Sequence, residues 1–294
     1  MRKRALIVGC GYVGLPLGHE LVRQGHKVFG LRRSDAADEE LRAAGIEPLR
    51  GDITKPETLA PLPRDFDWVV NCAATRGGTV EEYRQLYAIG NFNLVEWLRA
   101  APPRKFVFTS STSVYGQNDG SVVVETDPVA PEAETAPVLV ETENLLFAAY
   151  EKLKFPVVIM RLAGIYGPGR GYWLKQFLSG QARLDGDGSR LLNMIHRDDV
   201  VGAIIAALEG APACSVYNTV DNEPVTQREI FEWLAAKLNQ PMPPSAPLDA
   251  DPNRKRGVTN KRVSNLRLKQ QLGFKYKYPT FRQGYTAELA RMAR

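Results

Sequence analysis

The fold is decided by the stretch Ala5-Leu6-Ile7-Val8-Gly9-Cys10-Gly11-Tyr12-Val13-Gly14. A short apolar run leads directly into Gly-x-Gly-x-x-Gly, and Val13, Leu17 and Leu21 then recur every fourth residue. That spacing is typical of a helix packed on a sheet. The stretch therefore predicts a strand, a tight turn and a helix at the start of an α/β fold.

Each glycine of this turn has its own role in a dinucleotide site. Gly9 permits the turn, Gly11 has no side chain to hold a pyrophosphate away from the backbone, and Gly14 lets the helix approach the strand. The backbone N–H groups at the start of the helix, around Tyr12 and Val13, would bind the phosphates. The alternative is an ordinary glycine turn.

Strands and helices alternate through the first half of the chain. The six predicted strands are residues 5–8, 27–31, 46–50, 66–71, 105–109 and 157–162, and helices are predicted at 36–44, 80–99 and 137–153. Such alternation indicates a doubly wound parallel sheet with right-handed crossovers. Ligands of these sheets bind at the carboxyl ends of the strands, so we expect the chemistry there.

The alternation becomes irregular after Leu162, where glycine-rich turns occur. A helix is predicted at 198–208, a strand at 215–219 and a helix at 226–238, all in a smaller, interleaved lobe. Thr226 and Glu229 have the spacing of a capping box, which predicts where the last of these helices begins.

The composition is that of an ordinary globular protein. Of the 294 residues, 44% are hydrophobic and 24% charged, which excludes disordered and fibrous classes. No apolar stretch approaches the length of a membrane span, so we expect a cytoplasmic protein without a membrane partner. The three cysteines, Cys10, Cys72 and Cys214, lack the spacing of a metal site or a disulfide framework.

The net charge of +5 owes much to two basic runs, Arg254-Lys255-Arg256 and Lys261-Arg262. The simpler interpretation is a solvated basic loop, and the alternative is a clamp for a phosphorylated substrate. No aromatic residues are interleaved with these basic ones, so we expect no nucleic acid partner.

The end of the second strand indicates which nicotinamide cofactor would bind. An acidic residue there would bind the ribose 2′-OH, but the chain has Arg32 followed by Arg33. The planar guanidinium suits a phosphate monoester, which favours NADP(H) over NAD(H) unless the two arginines are only a surface pair. Asp52, after the third strand, would accept a hydrogen bond from the adenine amino group or act as a helix cap.

Several stretches together resemble the extended short-chain dehydrogenase/reductases, the NAD-dependent epimerase/dehydratase family. Besides the glycine turn these are Gly51-Asp52-Ile53, Asn71-Cys72-Ala73-Ala74, Ser110-Ser111-Thr112-Ser113-Val114-Tyr115-Gly116, Arg161-Leu162, Ile165-Tyr166-Gly167-Pro168-Gly169, Ile195-His196-Arg197-Asp198-Asp199-Val200, Tyr217-Asn218 and Lys261-Arg262-Val263-Ser264-Asn265. They occur in the family's order and cover nearly the whole chain. The resemblance implies a Rossmann-type sheet and places Ala73 beside the cofactor.

The resemblance also implies that Ser111 orients the substrate oxygen. The family's catalytic Tyr-x-x-x-Lys is absent from residues 125–150: if Glu143 is aligned with the family's acidic residue, Thr135 and Leu139 replace the pair. Threonine is a far weaker acid than tyrosine, and leucine has no donor. Loss of a positioned acid costs about a hundredfold to ten-thousandfold in rate. The glycine turn is also one residue shorter than in most extended members, so the chain resembles the atypical ones.

Three residues are candidates to replace the missing acid. Tyr115 and Tyr166 lie in loops that match the family, although tyrosines there more often pack than titrate. His196 precedes Asp198 and Asp199 in the first turn of a predicted helix, where a capping role is favoured over catalysis.

We therefore expect a Rossmann domain over residues 1–160 and, over 161–294, a substrate lobe with some elements returning to the core. The expected function is that of an NADP(H)-preferring oxidoreductase or epimerase-like enzyme acting on a sugar nucleotide or small carbonyl compound. The alternative is a non-catalytic NADP(H) sensor that binds a partner protein. The resemblance also implies a homodimer through the helices at 80–99 and 137–153.

Overall fold

The computed structural model describes residues 1–75, 77–247 and 259–293. The strands are β1 (Arg4–Val8), β2 (Lys27–Arg32), β3 (Glu47–Arg50), β4 (Trp68–Asn71), β5 (Lys105–Ser111), β6 (Val122–Val123), β7 (Val157–Leu162), β8 (Gly164–Tyr166), β9 (Leu184–Asp185), β10 (Leu191–Leu192), β11 (Met194–His196), β12 (Ser215–Thr219), β13 (Val225–Thr226), β14 (Ser245–Ala246) and β15 (Arg262–Val263). The helices are α1 (Gly14–Arg23), α2 (Asp38–Ala43), α3 (Pro56–Leu59), α4 (Val80–Arg84), α5 (Gly90–Leu98), α6 (Ala136–Leu153), α7 (Tyr172–Leu178), α8 (Arg197–Gly210), α9 (Gln227–Leu238), α10 (Leu266–Leu272) and α11 (Phe281–Met292). None of the helices within these ranges is long and apolar enough to cross a membrane.

A seven-stranded parallel sheet has the order β12-β7-β5-β4-β1-β2-β3. The chain builds outward from β1 to β3 on one side and from β4 to β12 on the other, so the order reverses between β1 and β4. This is the doubly wound Rossmann topology predicted from the sequence. A ligand crevice is expected outside the carboxyl ends of β1 and β4, where the order reverses.

The sheet contains one more strand than expected. The sequence placed residues 215–219 in the smaller lobe, but β12 forms the sheet edge beside β7. A five-residue strand does not reveal from its own sequence which sheet it joins, because strand pairing is decided by contacts distant in sequence.

Two predicted elements differ in their bounds. The helix predicted at 80–99 consists of α4 and α5 joined by a π-helical turn at Gln85–Ile89. The helix predicted at 36–44 forms only over α2, which begins at the acidic residue Asp38. The capping box at Thr226 is confirmed, since its side chain accepts from the Glu229 N–H and that carboxylate accepts from the Thr226 N–H.

The residues divide into two compact units, neither of them continuous in sequence. Unit 1 comprises Met1–Val114, Glu134–Arg161 and Val201–Tyr217, and unit 2 comprises Tyr115–Ala133, Leu162–Val200 and Asn218–Arg294. Unit 1 contains the body of the sheet with α1 to α6. Unit 2 has an apolar core to which α7, α9 and α11 contribute Phe177, Phe231, Leu234, Phe281 and Tyr285.

Candidate functional site

The glycine turn has the geometry that a dinucleotide requires. Gly9 has φ +87°, and a Cβ there would lie 2.5 Å from the Ala73 backbone, so the loops after β1 and β4 touch. A Cβ on Gly14 would lie 2.3 Å from the Gly9 carbonyl oxygen, which is the close helix approach predicted for it. A Cβ on Gly11 would meet nothing within 4 Å. The turn is therefore tight at two glycines and open at the third, which fits a pyrophosphate over Gly11.

The start of α1 suits an anion. Val13 occupies the N-cap position without a side-chain cap, and the first turn of α1 contains no acidic residue. Tyr12 is half-buried beside it. Backbone N–H groups at such an end attract phosphate because the helix dipole is positive there.

Arg32 lies at the end of β2, close to this turn. Burial raises the pKa of the Cys10 thiol to about 12, while the positive charge of Arg32 acts in the opposite direction. The Gly9 N–H donates to the carbonyl oxygen of Leu31 at 3.2 Å, which places the backbone of Arg32 next to the turn. Among the residues that the structure describes, no carboxylate forms an ion pair with Arg32 or Arg33.

Asp52 has a local structural role. Its Oδ1 accepts hydrogen bonds from the backbone N–H and the hydroxyl of Thr54, at 2.9 and 2.8 Å. The N-cap of α3 is Lys55, so Asp52 stabilises the turn before the helix and does not cap the helix itself. A contact with adenine stays a prediction.

The carboxyl end of β5 contains a buried polar network that sequence reasoning missed. The Ser110 hydroxyl donates to Glu143 Oε1 at 2.6 Å, and Arg161 donates to both oxygens of Glu143, the shortest bond being 2.7 Å. Glu143 is 1% exposed and Arg161 4%. The adjacent candidate, Ser111, is half-buried, and its hydroxyl oxygen accepts from the Ser113 N–H at 3.2 Å. The network thus connects the end of β5 with α6 and β7.

Leu139 lies one turn before Glu143 on α6 and is buried, and Thr135 is the N-cap residue of that helix. A Tyr-x-x-x-Lys spacing does occur further along, at Tyr150 and Lys154, where the ammonium lies 5.3 Å from the ring centroid. Tyr150 is seven residues beyond Glu143, which is about 10 Å along the helix. That pair is therefore well separated from the end of β5.

Tyr115 is a candidate whose hydroxyl and carbonyl groups are both hydrogen-bonded within unit 2. It is fully buried, and its hydroxyl donates to Asn218 Oδ1 at 2.8 Å. The backbone N–H of Asn218 donates to Glu125 at 2.9 Å, and the ammonium of Lys261 donates to the Tyr115 carbonyl oxygen. Both ends of Tyr115 are therefore held by residues distant in sequence.

Lys261 corrects the expectation of a solvated basic loop, because its side chain is buried and only 3% of the residue is exposed. Its neighbour Arg262 is exposed and donates to the Gly120 carbonyl oxygen. The other basic run, Arg254-Lys255-Arg256, lies outside the described residues. Burial lowers the pKa of Lys261 to about 8, opposed by the negative charge of Glu132.

We expect Lys261 to make stability depend on pH between 8 and 10.5. In that range the unfolded chain keeps the lysine proton and the folded protein releases it, so the burial penalty disappears as the pH rises. The free energy of unfolding of the wild type, relative to Lys261→Met, should increase by about 2 kcal/mol from pH 7 to pH 10. Urea unfolding at both pH values measures this difference. The exposed Lys175 provides the control: with Lys175→Met the difference should stay constant. A constant difference for Lys261→Met as well would contradict the lowered pKa.

Tyr166 lies in the core of unit 2. Its ring packs edge-on against His196 and Tyr285, with centroids 5.3 and 4.9 Å away, and its hydroxyl donates to the Thr280 carbonyl oxygen at 3.5 Å. Burial, followed by the charge of Asp221, raises the pKa of Tyr166 far above its usual value. These contacts favour a packing role over proton donation.

His196 caps α8, the role favoured from its sequence. Its Nδ1 accepts from the Asp198 N–H at 3.1 Å, so Nε2 carries the proton and donates to Glu288 at 3.2 Å. Burial lowers the pKa of His196 despite that carboxylate. Within the described ranges, no cluster of three or more His, Cys, Asp or Glu side chains could hold a metal ion.

Comparisons with known proteins give matches over most of the chain. The model of the NAD dependent epimerase/dehydratase family matches residues 5–219. Protein YeeZ of Escherichia coli is 31% identical over 282 residues, covering 94% of this chain and 97% of its own length. The 2-alkyl-3-oxoalkanoate reductase of Stenotrophomonas maltophilia is 29% identical over 252 residues, covering 79% of this chain and 74% of its own.

The fold also matches solved structures of sugar-nucleotide enzymes. UDP-glucuronic acid 4-epimerase from Bacillus cereus, solved with UDP-glucuronic acid and NAD, superposes with a TM-score of 0.83 over 99% of both chains. Its sequence is 20% identical, so the likeness concerns the fold alone.

Proposed function

The chain belongs to the NAD-dependent epimerase/dehydratase family, and we propose that it is an NADP(H)-preferring oxidoreductase or epimerase acting on a nucleotide sugar or a small carbonyl compound. One observation carries the proposal: Gly9 and Gly14 are tightly packed and Gly11 is open at the reversal point of the sheet, and Arg32 ends the neighbouring strand β2. This combination suits a dinucleotide with a 2′-phosphate.

The cofactor would be held by residues of unit 1 alone. The pyrophosphate would lie over Gly11 and the start of α1, with Tyr12 and Val13 contributing backbone N–H groups. Arg32 and Arg33 would bind the 2′-phosphate, and Ala73 and Asp52 would lie beside the adenosine half. When bound, the nicotinamide supplies a hydride donor or acceptor.

The substrate side relies on hydroxyl groups. Ser111 would orient the substrate oxygen, because its hydroxyl still has a proton to donate while its oxygen accepts from Ser113. Tyr115 is the remaining candidate for proton transfer, with its hydroxyl oriented by Asn218. A relative named as a reductase of 2-alkyl-3-oxoalkanoates supports a carbonyl substrate, and a fold shared with a UDP-glucuronic acid epimerase supports a nucleotide sugar.

The experiment that tests the cofactor is a tryptophan-fluorescence titration with NADPH and NADH. We expect tighter binding of NADPH in the wild type and loss of that preference in Arg32→Asp. Arg99→Asp makes the same change of charge at the exposed C-cap of α5 and should keep the preference. Absence of saturable binding of either cofactor would contradict the proposal. Once NADPH binding is established, a screen of carbonyl compounds and nucleotide sugars tests turnover.

A second function is favoured by the alignment of Glu143 with the family's acidic residue, in which Thr135 and Leu139 take the places of the catalytic pair. A protein without that pair would use NADP(H) as a regulatory ligand and bind a partner protein. NADPH binding without turnover of any compound in the screen, together with a partner whose affinity changes with NADPH, would favour this function over the enzymatic one.

We also propose a homodimer through α5 and α6. Ile89 and Phe92 are three residues apart and both exposed, although large apolar side chains are usually buried. Sedimentation of the wild type and of Phe92→Glu measures this: the wild type should be a dimer and the variant a monomer. A monomeric wild type would contradict the proposal.

A further inference from the structure

Arg50 lies beside Arg32 in the sheet. The parallel pairing of β2 with β3 places Arg32 opposite Arg50, and the Gly51 N–H donates to the Arg32 carbonyl oxygen at 3.0 Å. Side chains at paired positions share a face of the sheet, and like charges there repel one another. The ends of β2 and β3 therefore place two positive charges side by side, an arrangement that does not favour the stability of the fold.

The two arginines differ in their partners. The guanidinium of Arg50 contacts Asp38 at 3.2 Å and Asp35 at 3.4 Å, whereas no described carboxylate pairs with Arg32. Asp38 is largely buried, with 19% of its side chain exposed, and also contacts Arg42 at 3.5 Å. Asp35 is 72% exposed and makes the longer contact. The contact between Arg50 and Asp35 is therefore the weaker and more easily exchanged of the two.

We propose that Arg50 is a further arginine of the 2′-phosphate site, beside Arg32, and that Asp35 competes with the phosphate for it. A phosphate monoester carries more negative charge than one carboxylate and accepts two parallel N–H bonds from a guanidinium. Arg50 exchanges the Asp35 carboxylate for the phosphate, while Asp38 keeps the guanidinium in place. Asp35 thereby limits the affinity for the 2′-phosphate. This inference rests on the proposed NADP(H) preference and adds a residue from the neighbouring strand.

The test is a set of fluorescence titrations of the full chain with NADPH and NADH. Arg50→Gln should weaken NADPH binding about fivefold to tenfold and leave NADH binding unchanged, because only NADPH has the 2′-phosphate. Asp35→Asn should tighten NADPH binding about twofold to threefold. Arg50→Lys keeps the charge without the planar fork and should lie between Arg50→Gln and the wild type.

Arg42→Gln is the matched control. It removes one positive charge and one contact of Asp38, as Arg50→Gln does, but on α2 instead of β3. An equal loss of NADPH affinity in both variants would mean that the loss comes from the lower positive charge and not from a contact between Arg50 and the phosphate. That result would overturn the inference. Thermal unfolding of each variant confirms that the fold is retained.

Two smaller nucleotides test whether Arg50 recognises the 2′-phosphate itself. Adenosine 2′,5′-bisphosphate should displace NADPH and bind more weakly to Arg50→Gln, whereas adenosine 5′-monophosphate should be indifferent to this change. Equal displacement by inorganic phosphate would mean an unspecific anion site and overturn the inference.

The outcomes separate this inference from the cofactor proposal. If Arg32→Asp abolishes the NADPH preference and Arg50→Gln leaves it intact, only the role of Arg50 is wrong. If the wild type binds NADH as tightly as NADPH, or binds neither, the cofactor proposal and this inference are both overturned.

Discussion

Glu143→Ala should destabilise the folded protein by about 3–5 kcal/mol, because it removes the carboxylate partner of the buried Arg161 and the acceptor of the Ser110 hydroxyl. Burying a charge is costly unless it is paired, so removing one partner costs more than the pair contributes. Urea unfolding followed by circular dichroism measures the difference in the free energy of unfolding.

The control for this prediction lies two residues away on the same helix. Glu141 pairs with Arg84, and both side chains are more than 40% exposed. Glu141→Ala should therefore cost less than about 1 kcal/mol. Similar losses in the two variants would mean that the contacts of Glu143 contribute no more than a surface pair.

This network could not be read from the sequence. Ser110 is 33 residues from Glu143, and Glu143 is 18 residues from Arg161, and no periodic pattern connects them. The residue type could not show which serine of β5 contacts the buried carboxylate, because side chains alternate along a strand and adjacent serines point to opposite sides. The sequence singled out Ser111, while the structure joins Ser110 to the buried carboxylate.

The parts that were predicted correctly are those that local rules determine. The first strand, turn and helix follow from the apolar run, the three glycines and the four-residue spacing after them, all within about twenty residues. The capping box at Thr226 is local as well.

Positions decided by distant contacts were not predicted. Lys261 lies in a basic run that suggested a solvated loop, yet β15 pairs with β6 and the Lys261 ammonium reaches the Tyr115 carbonyl oxygen. Tyr166 was expected to pack more often than titrate, but the sequence did not show that its ring belongs to the core of unit 2. In both cases the surroundings of the side chain depend on residues distant in sequence.

An added methyl group should lower the free energy of unfolding at Gly14 but not at Gly11. Gly14→Ala places a Cβ 2.3 Å from the Gly9 carbonyl oxygen and 3.0 Å from the Cys72 sulfur, so the backbone must move. We expect a loss of about 2–4 kcal/mol in the free energy of unfolding, from strain at a packed contact. Gly11→Ala meets nothing within 4 Å and should leave the free energy of unfolding within about 0.5 kcal/mol of the wild type.

NADPH affinity should reveal the effect of Gly11→Ala, which the free energy of unfolding does not. In Gly11→Ala the methyl group occupies the space left for the pyrophosphate, so we expect a well-folded protein whose affinity falls about tenfold to a hundredfold. Thermal unfolding and fluorescence titration of the same samples measure both effects. Unchanged NADPH affinity in Gly11→Ala would mean that the open space over Gly11 does not receive the pyrophosphate. Because this variant keeps its fold, a loss of binding reports on the site itself, which the strained Gly14→Ala cannot do.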